Sequence, residues 1–206
     1  MQSKIIVPEL AAVEIHGMDR GSFILKGAFA VGAVYGAASV SPFVRQAFAQ
    51  AGGDVDIVNF ALTLEYLEAD FYKQGIALGL SAEVEKLATL LGDHEQQHVE
   101  TLAGTVESLG GTAATEPKFT FPIKDEASFL KLAQTLEDTG VSAYNGAAPA
   151  IESKEVLGAA GSIVQIEARH AAAIRLVNKV SPAPGAFDEA LEMQAVLDAV
   201  KPFIAA

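Results

Sequence analysis

Cysteine is absent from all 206 residues. Disulfides, zinc–thiolate sites and cysteine-bound iron–sulfur clusters are therefore excluded. Tryptophan is also absent. Positive charge is scarce: 14 Lys and Arg face 26 Asp and Glu, leaving a net charge of −12 and a pI near 4.7. A nucleic-acid-binding surface needs the opposite sign, so no nucleic-acid partner is expected. The acid excess suits solubility and only weakly raises the local concentration of metal cations. Ala, Leu, Val and Glu are plentiful instead, a composition that favours helix over sheet. Hydrophobic residues make up 50% of the chain, enough for one domain with a real core and an additional segment.

The first fifty residues differ from the rest. Lys4, Arg20 and Lys26 precede an uncharged stretch from Gly27 to Val44, GAFAVGAVYGAASVSPFV. Ala47-Phe48-Ala49 then offers the small-x-small pattern of a signal-peptidase site. This order of basic region, apolar region and small-residue site predicts export to the periplasm or cell envelope, with a cytoplasmic location as the alternative. The segment from Asp19 to Lys26 resembles a twin-arginine signal with a single arginine. The apolar run is short and broken by Gly, Ser and Pro, which argues against a stable transmembrane span.

Beyond residue 50 the pattern is helical. Asp54 or Asp56 is placed to cap a first helix reaching about Leu78, with Ile57, Phe60, Leu64, Leu67 and Phe71 on its apolar stripe. Ser81 is a suitable N-cap for a second helix, which should stop at Gly110-Gly111. The stretch TAATEPKFTFPIKD has two prolines and no helical period. Asp125 is placed to cap a third helix ending before Pro149, and a fourth should run from near Ser153 to before Ser181-Pro182. A short fifth helix is expected over residues 188–203. Tight turns make helices one and two antiparallel neighbours, and likewise three and four. The middle connection, fully extended at about 3.3 Å per residue, is long enough to cross the whole bundle. The expected fold is all-α: two helical hairpins joined by a long crossover, plus a short C-terminal helix.

The chain also repeats itself. At an offset of 72, Ala61-Leu62-Thr63-Leu64-Glu65 aligns with Ala133-Gln134-Thr135-Leu136-Glu137, identical at four of five positions. Tyr72 aligns with Tyr144, Glu95 with Glu167 and His98 with His170, without a gap. One helical hairpin is thus written twice, and the copies share Leu-Glu, Tyr and Glu-x-x-His. In Glu95/His98 and Glu167/His170 the two side chains lie three apart, on one helix face. Glu65 and Glu137 sit in apolar stripes that should point inward. Four buried carboxylates are costly when uncompensated, several kcal/mol each. Two divalent cations neutralise them. Glu65, Glu95, His98, Glu137, Glu167 and His170 are therefore the expected metal ligands, one Glu from each of two helices and a Glu-x-x-His from each of the others.

These residues resemble the ferritin-like di-iron carboxylate superfamily. The wording of NFALTLEYLEADFY and LAQTLEDTGVSAYNGAAP is closer to exported ferritin-like, desiccation-related proteins. The resemblance implies a ferritin-like domain over residues 51–206, following an export signal or tail over residues 1–50. It implies two iron ions, or alternatively two manganese ions, and redox chemistry with dioxygen or peroxide of the ferroxidase, peroxidase or catalase kind. A metal-binding structural or stress protein without turnover is the alternative. Beyond metal ions and dioxygen or peroxide, self-association into a homo-oligomer stays open.

The remaining candidates rank below these six. Glu68 lies one turn beyond Glu65, but its counterpart is Gly140, which argues against it as a ligand. Asp70 and Glu100 also lack acidic counterparts and are expected in solvent. His94 points about 100° away from Glu95, on the surface or just behind the ligands. Tyr72 and Tyr144 are expected to hydrogen-bond ligand carboxylates. Asp138 is a candidate to orient a ligand histidine. His16 is assigned no role.

Overall fold

A computed structural model describes residues 53–205. The expected export segment and its cleavage site lie outside them. The described chain forms α1 (Asp54–Ile76), α2 (Ala82–Ser108), α3 (Glu126–Ala147), α4 (Lys154–Val177) and α5 (Met193–Val200). Short 3₁₀ turns follow α3 at Ala148–Ala150 and α5 at Lys201–Phe203. No described helix is long and apolar enough to cross a membrane.

Local chemistry sets the helix ends. α2 stops where Gly110 takes a φ of 78°. The Gly110 N–H donates to Glu107 O and the Gly111 N–H to Val106 O, closing a Schellman turn. Asp125 caps α3 in a reciprocal box with Ser128. Ser153 caps α4 by accepting from the Val156 N–H. Two expected caps behave differently. Ser81 stands at the N-cap of α2 without a side-chain capping bond, and its N–H donates to Glu126 Oε2. Gly53, not an aspartate, is the N-cap of α1. Asp54 instead accepts the N–H groups of Glu152 at 2.8 Å and Ser153 at 2.7 Å, tying the start of α1 to the start of α4.

α1 packs on α2 and α3 on α4, and the hairpins meet through α1 with α3 and α2 with α4. Residues 109–125 cross between them. At one end of the bundle Phe71 stacks on Phe129 with ring centroids 5.0 Å apart, and Phe121 meets Phe71 edge-on. At the other end Val58, Leu62, Val99, Leu102, Val106 and Ile163 form a second apolar cluster. The C-terminus fastens the crossover: Thr120 N–H donates to Phe203 O and Ala205 N–H to Lys118 O, around an antiparallel bridge of Phe119 with Ile204.

The fifth helix is shorter than its periodicity predicts, beginning at Met193 rather than 188. The reason lies on α3. The Leu191 N–H donates to Ser142 O, and Glu189 O accepts from Asn145 Nδ2. Backbone groups committed to α3 are not available for a first helical turn.

Candidate metal centre

Between the two apolar clusters, at mid-length of the bundle, all six expected ligands come together. Glu65 projects from α1, Glu95 and His98 from α2, Glu137 from α3, and Glu167 and His170 from α4. Glu65, Glu95 and Glu167 are fully buried, Glu137 and His170 nearly so, and His98 is 9% exposed. Two four-residue clusters form. Glu65, Glu95, His98 and Glu167 make one; Glu95, Glu137, Glu167 and His170 make the other, and in each the ligand atoms lie within 4.8 Å of one another. Glu95 and Glu167 belong to both, so a pair of cations held here would share them as bridges.

The tyrosines cross the internal repeat. Tyr72 from α1 donates to Glu137 Oε1 on α3, and Tyr144 from α3 donates to Glu65 Oε1 on α1. Each copy of the hairpin thus orients a buried carboxylate of the other.

Distances around the histidines fit a site for cations. His98 Nδ1 lies 3.2 Å from Glu65 Oε2, 3.0 Å from Glu95 Oε2 and 3.0 Å from Glu167 Oε1. His170 Nδ1 lies 2.8 Å from Glu95 Oε1 and 3.4 Å from Glu137 Oε2. Yet Glu95 Oε1, Glu137 Oε2, both oxygens of Glu167 and His170 Nδ1 have no correctly directed hydrogen-bond partner. His98 Nδ1 is hydrogen-bonded to Glu65 Oε2 and Glu95 Oε2, whereas the unpartnered atoms, close but misaligned, converge on a shared point. Buried groups left this way are costly unless something charged sits among them. Oxygen and imidazole donors suit iron and manganese. The residues therefore fit a pair of such ions.

Electrostatics agree. Burial pushes the Glu65 carboxyl up to about 7. Burial, with neighbouring carboxylates, pushes Glu68 and Glu167 well above the usual range and raises Glu137. Burial works against a charged His98, but Glu167, Glu65 and Glu95 outweigh it and hold the imidazole up to about 12. His170 is raised to about 10 in the same way by Glu137 and Glu95. Burial would also raise Glu95, but His170 and His98 bring it down to about 2. Protons on the two imidazoles thus stand in for cations when none is bound.

Asp138 and Asp70 fall where the sequence did not place them, and His94 takes the place just behind a ligand that the sequence offered it. Asp138 does not orient a histidine; it pairs with Arg175 at 2.7 Å. That role belongs to His94, whose Nδ1 lies 2.9 Å from His170 Nε2. The counterpart of His94 is Ile166, which with His94, Gln97 and Thr101 lines an open depression beside His98. Glu68, unlike Glu100, is buried, and its carboxylate, like that of Glu167, lies beside the backbone of Gly140. Asp70 is half-buried and accepts from Gln74 Nε2 at 2.8 Å.

Comparison with known proteins agrees with the fold. Protein rds1 of Schizosaccharomyces pombe is 24% identical over 160 residues, covering 73% of this chain. The chain spans 39% of that relative's length. Among solved structures, ferritin-like, diiron-carboxylate proteins from Bacillus anthracis superpose with a TM-score of 0.55 at 19% identity, covering 67% of this chain and 99% of the other. The conserved hypothetical protein rv2844 from Mycobacterium tuberculosis does so with a TM-score of 0.55 at 17% identity, covering 64% and 94%. The family model for the ferritin-like domain matches residues 53–179, the span that holds all four bundle helices and all six converging side chains. The chain belongs to the ferritin-like domain family.

Proposed function

We propose that this protein is a dimetal oxidoreductase acting on dioxygen or hydrogen peroxide, with two iron ions as its occupants and two manganese ions as the alternative. The observation that supports this most is the pair of buried clusters sharing Glu95 and Glu167. Glu65 with His98 would hold one ion, Glu137 with His170 the other, and the four carboxylates would balance two divalent charges. A pair of ions held there by these residues would supply the two electrons that reduction of one O–O bond requires.

The chain's own residues do the rest. Tyr72 and Tyr144 fix the non-bridging carboxylates. His94 holds the outer nitrogen of His170. Apolar clusters pack on both sides of the centre. The depression beside His98 offers a small oxidant a short approach. Where ferrous iron itself is the reductant, the activity is that of a ferroxidase.

Elemental analysis of the isolated protein tests occupancy: iron or manganese near two per chain is expected, and a metal-free or zinc-only protein overturns the reading. Dioxygen uptake after anaerobic ferrous loading, and peroxide disproportionation after manganese loading, test turnover. Burial of the ligands also favours a second reading, a metal-stabilised structural or stress protein. Metal-dependent melting without turnover in either assay selects it.

A further inference from the structure

We infer that an apolar cavity beside Tyr144 is a dioxygen site, the place from which dioxygen reaches the centre on its Glu65 side. The delivery rests on the dimetal reading above; the cavity itself does not. It measures about 20 Å³ and lies between the four helices, lined by Phe60 and Leu64 of α1, Leu102 of α2, Ala143 and Tyr144 of α3 and Ala160 of α4. Ile57 and Ala147, also in its wall, are half-buried, whereas Leu64 and Tyr144 are buried, so it runs inward from the surface to the tyrosine. Its wall holds two hydroxyls, and each already donates elsewhere: Thr105 Oγ1 to Thr101 O at 2.8 Å, and the Tyr144 O–H to Glu65 Oε1. A single water needs roughly 10–15 Å³ of such space together with two to four polar partners. The room is there and the partners are not. An apolar molecule of two atoms needs only the room, and dioxygen is such a molecule.

The internal repeat shows why the space exists. At the offset of 72, Ala143 is the counterpart of Phe71, and Ile57 the counterpart of Phe129. Phe71 and Phe129 stack on each other at the opposite end of the bundle and meet Tyr72 edge-on, with ring centroids 5.4 and 6.0 Å from it. Rings therefore fill the ground around Tyr72. Around Tyr144 the same two positions carry a methyl group and a branched aliphatic chain, and the volume the rings would take is left as cavity. Tyr144 donates to Glu65, so one hydrogen bond separates the cavity wall from a carboxylate of the centre. The depression beside His98 is of another kind, lined by His94, Gln97 and Thr101 as well as Ile166. A hydrogen-bonding solute such as hydrogen peroxide suits that polar surface, whereas a molecule without a dipole suits the cavity. The two approaches thus separate two oxidants by polarity.

The first test needs no metal and uses dioxygen itself, which is paramagnetic and quickens the relaxation of nuclei near it. In the full, metal-free chain with methyl-labelled alanine, dioxygen pressure should broaden the Ala61 and Ala143 methyl signals and spare Ala133, the counterpart of Ala61; nitrogen at the same pressure is the control. Ala143→Phe, which restores the ring found in the other copy of the repeat, should remove the effect at Ala61. The second test loads ferrous iron anaerobically and follows its reaction with dioxygen and with hydrogen peroxide by stopped flow. Ala143→Phe should slow the dioxygen reaction by about tenfold or more and leave the peroxide reaction and the bound iron within about twofold. Circular dichroism checks that the variant is folded; should Ala143→Phe not fold, Ile57→Phe, at a half-buried position of the same wall, is read in both tests instead. Equal relaxation at Ala61 and Ala133 in the wild type overturns the site while leaving the dimetal reading intact. Selective relaxation with an unchanged dioxygen rate in the filled variant overturns the delivery. Equal slowing with both oxidants overturns the separation of routes. A wild-type chain that binds no iron overturns the dimetal reading and the delivery with it, and the relaxation test alone then decides the site.

Discussion

Tyr72 and Tyr144 each act on the opposite copy of the repeat, so neither can be replaced without freeing a buried carboxylate oxygen on the other hairpin. Tyr72→Phe should free Glu137 Oε1 and Tyr144→Phe should free Glu65 Oε1. Each change should destabilise the fold by about 1–3 kcal/mol, the usual cost of orphaning a charged acceptor. Metal should still bind, about tenfold or more weakly. Denaturant melts and Mn²⁺ titration of the variants check both effects. Glu95 and Glu167 differ in kind, because each belongs to both clusters. Glu95→Ala or Glu167→Ala should leave no stoichiometric metal by elemental analysis. His94→Ala should keep both ions but loosen the one beside His170, by about ten- to a hundredfold.

At the scale of elements, the bundle depends on ties between segments far apart in sequence. Asp54 is the clearest. Its carboxylate gathers the N–H groups of Glu152 and Ser153 just before α4, so it satisfies donors of another helix rather than its own. Asp54→Ala should cost about 1 kcal/mol, within the range for a lost cap. Hydrogen exchange should then quicken at the start of α4 and not at the start of α2. Faster exchange confined to α1 would show that Asp54 serves only its own helix.

For the whole molecule, the centre couples stability to pH. Glu65 binds its proton up to about 7 in the fold. Between the ordinary carboxylate value and there, the folded apoprotein holds more protons than the unfolded chain, so stability falls as pH rises. His98 and His170, raised to about 12 and about 10, continue the same trend above neutrality. Glu95, lowered to about 2, acts oppositely and takes stability away only in acid. The apoprotein should therefore melt lower at about pH 8 than at about pH 5. Bound metal replaces those protons, so the gap between loaded and apo forms should widen over that interval, and loading should release protons. Scanning calorimetry measures the first, and titration in buffers of different ionisation enthalpy the second. A gap that stays constant with pH would show that the carboxylates do not titrate with the fold. Export is a separate proposal: intact mass from native cells should lack roughly the first fifty residues.

Four helices, their hairpin pairing, the crossover and the six converging side chains were legible in the sequence, because each follows from local periodicity or from a repeat that survives without a gap. Leu64-Glu65 and Leu136-Glu137 announce themselves by being written twice. What the sequence could not decide depended on contacts between segments distant in the chain. The start of α5 was set by Leu191 and Glu189 bonding to α3, not by the helical period of residues 188–203. Asp138 was drawn to Arg175, and His94, with no counterpart in the repeat, took the place behind His170. Glu68 shows the limit most plainly. The repeat gave no sign that Glu68 would be buried, whereas the packed bundle sets its carboxylate beside the backbone of Gly140. Only tertiary structure shows that an asymmetric pair of residues fits together as lock and vacancy.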